Sequence, residues 1–198
     1  MKKVRAAVVG VGHMGRYHVG VYSEIPNVRL MGMADINELR GGEIAEKYNT
    51  KCYKDYTDLF GKVDVVSIAV PTALHYKITR DFLQAGINVL IEKPIAKNIH
   101  EAKELFDIAE EKNLALHVGH VERFNGAVQE LKKIVDDPLF IECRRLGPYD
   151  SRVQDDGVIM DMMIHDIDII LNLVNSKVTG INVVGRSVFS DRDDLCNV

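Results

Sequence analysis

Val4 to Gly15 reads V-R-A-A-V-V-G-V-G-H-M-G, an apolar run that leads straight into Gly10-x-Gly12-x-x-Gly15. A helix-compatible segment, Arg16 to Ser23, follows at once. In that order the three glycines have separate physical tasks. The first permits a tight strand-to-helix turn, the second lets a pyrophosphate approach the backbone, and the third lets helix and strand pack closely. The phosphates then sit on the positive N-terminus of the helix. A glycine triplet alone also fits an incidental turn. Here the next apolar run, Val28 to Ala34, ends in Asp35, roughly 20 residues on, where a ribose-binding acid belongs. The combination points to dinucleotide binding.

Working outward, apolar β-branched runs alternate with helical patterns up to about residue 120. Strands are expected at Val4–Val9, Val28–Ala34, Val63–Val70, Asn88–Ile91 and Ala115–Val118. Helices are expected near Met14–Ser23, Asn37–Lys47, Leu74–Ala85 and Ile99–Lys112, with Thr72 as the N-cap of the third. Such alternation with short connections predicts an α/β fold, a doubly wound parallel sheet of the Rossmann type. V-D-V-V-S-I-A-V (residues 63–70) is almost continuously apolar, as a central parallel strand should be.

Beyond residue 120 the pattern changes. A helix near Gly126–Asp136, a strand at Phe140–Leu146, a long helix at Val158–Asn175 and a strand at Val178–Phe189 are expected. The chain stops at D-R-D-D-L-C-N-V with no further element expected. Residues 1–120 thus read as a dinucleotide-binding domain, and 121–198 as the start of an incomplete α/β (α+β) second domain. A two-stranded remnant with open edges predicts self-association and weak catalysis.

Composition sets the outer bounds. With 198 residues, 46% hydrophobic and 27% charged, the chain is an ordinary globular protein, and a net charge of −4 gives no reason to expect nucleic acid or an anionic membrane as partner. No stretch approaches the roughly 18 apolar residues of a membrane span. Cys52, Cys143 and Cys196 are odd in number, scattered and without metal-ligand spacing, which predicts a reducing, cytoplasmic location and no metal.

The helix at Val158–Asn175 is apolar around most of its circumference and so is expected to be largely buried. Asp161, His165, Asp168 and Asn172 nevertheless recur at i, i+4, i+7 and i+11, which at about 100° per residue puts them on one stripe. Such a stripe is either an Asp–His pair stabilising the helix or the polar wall of a substrate pocket. In the second case His165 suits proton transfer near neutral pH. Glu92-Lys93-Pro94 stands where the strand Asn88–Ile91 ends, the edge at which open α/β sheets bind ligands. Val70-Pro71-Thr72-x-x-His75 borders the same crevice, and His120 and Arg123 lie just past the last parallel strand. His75 and His120 also suit packed histidines, and His18 shows no interpretable spacing.

Together these residues resemble the Gfo/Idh/MocA oxidoreductases, the glucose–fructose oxidoreductase and inositol dehydrogenase family. G-V-G-H-M-G, the A-D that ends the second strand, V-P-T-A-L-H, E-K-P-I-A, G-H-V-E-R-F-N and D-M-M-I-H-D-I-D occur in the family's order and span nearly the whole chain. The resemblance implies a Rossmann domain followed by an α/β domain with an open sheet that supports homo-oligomers. It implies hydride transfer between a nicotinamide and a carbinol carbon of a sugar, polyol or nucleotide sugar. G-H-V-E-R-F-N with I-H-D-I-D looks most like members that oxidise the 3-position of UDP-N-acetylglucosamine.

Lys93, Asp161 and His165 fall on the family's catalytic positions. His165 would be the general base, Lys93 would stabilise the negative charge on the reacting oxygen, and Asp161 would hold substrate and lysine. His120 joins these three on the substrate side. Coenzyme contacts are implied at Gly10, Gly12, His13, Met14 and Gly15 in the turn, and at Asp35, Ile36 and Arg40 after the second strand. Further contacts are implied at Val70, Pro71, Thr72 and His75, at Glu92 and Lys93, and at Arg123. Asp35 favours NAD, because its carboxylate would repel a 2′-phosphate, while Arg40 leaves NADP open. The chain departs from the family at Met163, where Gly is common, and at Asp155-Asp156-Gly157, where the approach to the helix is usually Gly-rich. The alternative is a non-catalytic dinucleotide-binding regulator or scaffold of the same fold.

Overall fold

The protein is described from a computed structural model over residues 3–148 and 157–198. It divides into two compact units, Met1–Gly119 and His120–Val198.

In the first unit, strand β1 (Val4–Val9) is followed by α1 (Gly15–Glu24), β2 (Val28–Ala34), α2 (Glu38–Lys47) and β3 (Cys52–Tyr53). Then come β4 (Val65–Ile68), α3 (Thr72–Gln84), β5 (Asn88–Ile91), α4 (Ile99–Glu111) and β6 (Leu116–Val118). All six strands are parallel in the order β3-β2-β1-β4-β5-β6. The order reverses direction beside β1, and ligands of such sheets bind in the crevice at that point, beyond the strand C-termini. β3 was not foreseen. Its two residues carry no periodic pattern and form a strand only because Met33 and Ala34 offer them an edge.

Both faces of the sheet are covered, which explains the nearly unbroken apolar runs. Ala7, Val9, Ala34, Val66 and Ile68 pack with Phe82 and Leu83 of α3 and Leu105 of α4. Val8 and Met33 point the other way, to Val19 of α1 and Ala45 of α2. Asn37 and Asn98 cap α2 and α4 through side-chain oxygens that accept from Arg40 N and Glu101 N. The expected cap at Thr72 is displaced by one residue. Pro71 holds the cap position without a side-chain bond, and Thr72 is the first helical residue.

The second unit holds a 3-10 turn (Val121–Phe124), α5 (Gly126–Ile134), a π-helical turn (Ile159–Met163), α6 (Ile164–Leu173) and an antiparallel pair, β7 (Val184–Arg186) with β8 (Leu195–Asn197). It corrects three expectations. Phe140–Leu146 forms no strand, and Phe140 and Leu146 are exposed. Val178–Phe189 shrinks to β7, whose partner is the terminal segment that had been expected to carry no element. A strand exists only where a neighbour takes its backbone groups, and apolar content cannot name that neighbour. The Val158–Asn175 helix opens on a π turn and is mostly half-exposed, with Asp168 its buried residue. Asp155 and Asp156 lie outside the described residues. Among the described residues no helix is long and apolar enough to cross a membrane, and no cluster of His, Cys, Asp or Glu suits a metal ion.

Candidate active site

The crevice of the first unit is assembled from the ends of adjacent strands. Gly10 N donates to Ala34 O at 2.8 Å, Ala69 N to Val9 O at 2.8 Å, and Glu92 N to Ile68 O at 2.9 Å. These bonds bring the glycine turn, the Val70–Pro71 lip and the Glu92–Lys93 segment to one edge of the sheet.

The glycine turn has the shape a pyrophosphate needs. Gly10 has φ +80°, and a Cβ there would lie 2.6 Å from Ala69 O. A Cβ on Gly15 would collide with Gly10 O, so this glycine sets the approach of α1 to the turn. A Cβ on Gly12 would meet nothing within 4 Å. The space above Gly12 is open, as close backbone approach of a diphosphate requires. No side chain caps α1, whose N-cap position is Met14. His13 is exposed, 3.3 Å from Arg16 and edge-on to the Tyr17 ring. These residues fit a dinucleotide.

Asp35 is buried beneath this turn. Its carboxylate accepts from Val11 N and Asn37 N, each at 2.8 Å, and from the Arg40 guanidinium at 2.9 and 3.1 Å. Burial pushes its pKa up. The Arg40 hydrogen bond and the two backbone N–H groups outweigh that effect, so the carboxyl is held below its ordinary value. Arg40 therefore lies against Asp35 as an ion pair, and Ile36 beside it is exposed.

Several of the expected contact residues are hydrogen-bonded within the protein. The His75 ring is 1% exposed, with Nδ1 2.6 Å from Pro94 O and Nε2 2.9 Å from Val70 O. With both nitrogens engaged by backbone, it is a packed histidine. The Glu92 carboxylate is buried 2.8 Å from His18 Nε2. Lys93 is half-buried, and its peptide bond to Pro94 is cis.

In the second unit the Arg123 guanidinium donates through Nε at 2.7 Å and one terminal nitrogen at 2.5 Å to the two oxygens of Asp168. His120 Nδ1 stands 3.7 Å from the same carboxylate. Burial raises the Asp168 pKa, but the Arg123 hydrogen bond and the His120 and Arg123 charges lower it more, so it stays below its usual value. Asn172 Nδ2 donates to Asp168 O at 2.7 Å. Of the four stripe residues, Asp168 ties α6 to Arg123, while Asn172 bonds back onto its own helix. Asp161 lies on the π turn and His165 on α6, both half-buried.

Sequence reasoning missed His18, Tyr22 and Ser67. His18 Nδ1 is 3.1 Å from Ser67 Oγ, and Tyr22 Oη is 2.7 Å from the same oxygen. Burial pushes the Tyr22 pKa up, partly offset by the Ser67 bond. The signal was a serine inside the apolar run of residues 63–70, together with polar tips at i and i+4 on α1.

Residues 4–120 match the Gfo/Idh/MocA oxidoreductase family, described by its NAD-binding Rossmann fold, and the chain belongs to that family. UDP-N-acetylglucosamine 3-dehydrogenase of Acidithiobacillus ferrooxidans is 36% identical over 196 residues, covering 98% of this chain and 62% of that protein. Its crystal structure superposes with a TM-score of 0.91, covering 99% of this chain and 65% of that one. The scyllo-inositol 2-dehydrogenase (NAD(+)) of Bacillus subtilis is 27% identical over 199 residues, covering 93% of this chain and 58% of its own length. An NAD-binding protein from Listeria innocua, 27% identical, superposes with a TM-score of 0.81 over 98% of this chain and 62% of that one. The chain spans less than two thirds of the length of these relatives.

Proposed function

We propose that the chain carries the coenzyme unit and catalytic side chains of an NAD-dependent dehydrogenase acting on a hydroxyl-bearing carbon of a nucleotide sugar, the 3-position of UDP-N-acetylglucosamine. The observation that carries the reading is the open glycine turn over buried Asp35, on the same sheet edge as Lys93. The 36% identity to a UDP-N-acetylglucosamine 3-dehydrogenase supports the substrate.

Gly10, Gly12 and Gly15 would hold the diphosphate, and Asp35 the adenosine ribose. Bound NAD supplies the hydride acceptor. His165 is the general base that takes the hydroxyl proton on an imidazole nitrogen. The Lys93 ammonium donates a hydrogen bond to that oxygen and stabilises its growing negative charge. Asp161 orients substrate, and its place on a π turn accords with the frequency of such turns at functional sites. The fuller protein would act as a homo-oligomer. A cytoplasmic location is supported by the free thiols of Cys52, Cys143 and Cys196.

NADH fluorescence titration tests the coenzyme assignment, with saturable binding tighter than for NADPH expected. Equal affinity for NADPH would refute the role given to Asp35. Absorbance of NADH formed on UDP-N-acetylglucosamine beside inositols, in a protein of the relatives' full length, tests the substrate. Faster turnover of an inositol would replace the nucleotide-sugar reading.

A further inference from the structure

Three side chains form a Ser–His–acid array that the proposed reaction does not use. Ser67 Oγ, His18 Nδ1, His18 Nε2 and Glu92 Oε1 follow one another at 3.1 and 2.8 Å across the ring. Ser67 is fully buried, so no substrate reaches it and the array is not a nucleophile. Its donors run in one direction. The Glu92 carboxylate can only accept, so His18 donates from Nε2; in a neutral ring Nδ1 is then the acceptor, Ser67 donates to it, and Tyr22 donates to Ser67 at 2.7 Å. The array therefore ends on Glu92, the residue before Lys93. Gly119 packs against the same carboxylate, since a Cβ there would lie 3.2 Å from Glu92 Oε1.

The residue after Lys93 is gripped as well. His75 of α3 stands 2.6 Å from Pro94 O through Nδ1 and 2.9 Å from Val70 O through Nε2; both carbonyls only accept, so a neutral ring with its single N–H donates to one of them, and the shorter contact assigns that bond to Nδ1 and Pro94. Lys93 thus stands between two residues that histidines from different helices hold in place.

We propose that His18 and His75 are positioning residues for Lys93, holding Glu92 and Pro94 on either side of it so that its amine keeps one place at the coenzyme crevice. This rests on the role of Lys93 given above. A charged group placed by buried hydrogen-bonded neighbours needs no reorganisation when charge develops, whereas displacement by about 1 Å can cost roughly 10²-fold in rate.

The two histidines have different amide substitutes. An asparagine nitrogen takes the place of Nδ1 and a glutamine nitrogen that of Nε2. His75→Asn therefore keeps the Pro94 bond, His75→Gln reaches only Val70 O and loses Pro94, and His18→Gln keeps the Glu92 bond. The test uses the 198-residue chain with lysines methylated by isotope-labelled formaldehyde. The Lys93 signal is assigned in NMR spectra by its loss in Lys93→Arg, and melting temperature reports folding.

His18→Ala, His75→Ala and His75→Gln should shift or split the Lys93 signal, while His18→Gln and His75→Asn return it to the wild-type position. A purely structural role would perturb His75→Asn and His75→Gln alike. A wild-type Lys93 signal in folded His75→Gln, or equal perturbation in His75→Asn, overturns the proposal. Should the alanine variants not fold, the asparagine and glutamine pair decides alone. None of these readouts needs turnover, so a chain inactive on every sugar would defeat the dehydrogenase reading and leave this one standing on its own result.

Discussion

The two units differ in how their apolar residues are used. Up to Gly119, side chains such as Val8, Val19, Ile68, Phe82 and Leu105 are wholly buried on the two faces of one parallel sheet. From His120 on, Val128 is the single apolar residue among the described ones to reach the buried class, and Leu139, Phe140, Leu146, Val184 and Phe189 are exposed. The second unit is organised instead by ion pairs and turn bonds. Arg123 holds Asp168, Arg145 holds Asp166 at 2.8 Å, and Asp194 accepts from the N–H groups of Val188, Phe189 and Ser190. Burial of a leucine or phenylalanine contributes roughly 1.5–3 kcal/mol, whereas an exposed ion pair contributes about 0–1 kcal/mol. The lesson is that local pattern is decisive where apolar burial dominates. Where polar contacts between distant residues hold the chain, it is weak.

The largest effects should appear in the glycine turn. Gly12→Val should weaken NADH binding by roughly 10²-fold or more while leaving the melting temperature unchanged, because its side chain enters only the open space over the turn. Gly10→Val should lose both binding and stability, since it adds a Cβ 2.6 Å from Ala69 O at positive φ. Calorimetry beside fluorescence titration separates the two. A Gly12→Val protein that binds NADH normally would break the coenzyme assignment of the first unit.

Next come the side chains assigned to catalysis, one group in each unit. In a protein of the relatives' full length, Lys93→Met and His165→Ala should each cut kcat by roughly 10²-fold. NADH affinity should change little for His165→Ala, because His165 is assigned to the substrate side and not to the coenzyme. Steady-state kinetics with coenzyme titration checks both, and full turnover in either variant would cancel that residue's role.

A smaller effect is expected at Asp168. Asp168→Ala removes the Arg123 pair and should destabilise the second unit by about 1–2 kcal/mol, a charged hydrogen bond discounted for the partial exposure of Arg123. Hydrogen exchange should speed up along α6 and stay unchanged in β1 and β4. Equal acceleration in both units would mean that they do not unfold separately.

The smallest effect concerns acid. The carboxyls of Asp35 and Asp168 are held below the usual value of 3.8 in the folded protein. Their stabilisation is therefore complete above the unfolded value and is lost as pH falls through the lower, folded one. Urea midpoints should fall below about pH 4, and Arg40→Ala should make that fall shallower by relaxing Asp35. An unchanged acid limb in Arg40→Ala would show that the backbone N–H groups of Val11 and Asn37 hold Asp35 unaided.

The sequence by itself determined the parallel sheet, because each of its long strands and helices carries its own period and each link between them a glycine, proline or asparagine. It located Gly10, Gly12, Gly15, Asp35 and Lys93 because their spacing is local to one strand-to-helix junction or one strand end. Only the tertiary structure decided what those residues touch. Arg40 folds back on Asp35, Arg123 is taken by Asp168, and His75 is sealed between Val70 and Pro94. It also paired β7 with β8 and left Phe140–Leu146 without a strand. His18 shows the reason most clearly. Its partners Ser67 and Glu92 are 49 and 74 residues away, and a contact across that separation leaves no period for a sequence to display.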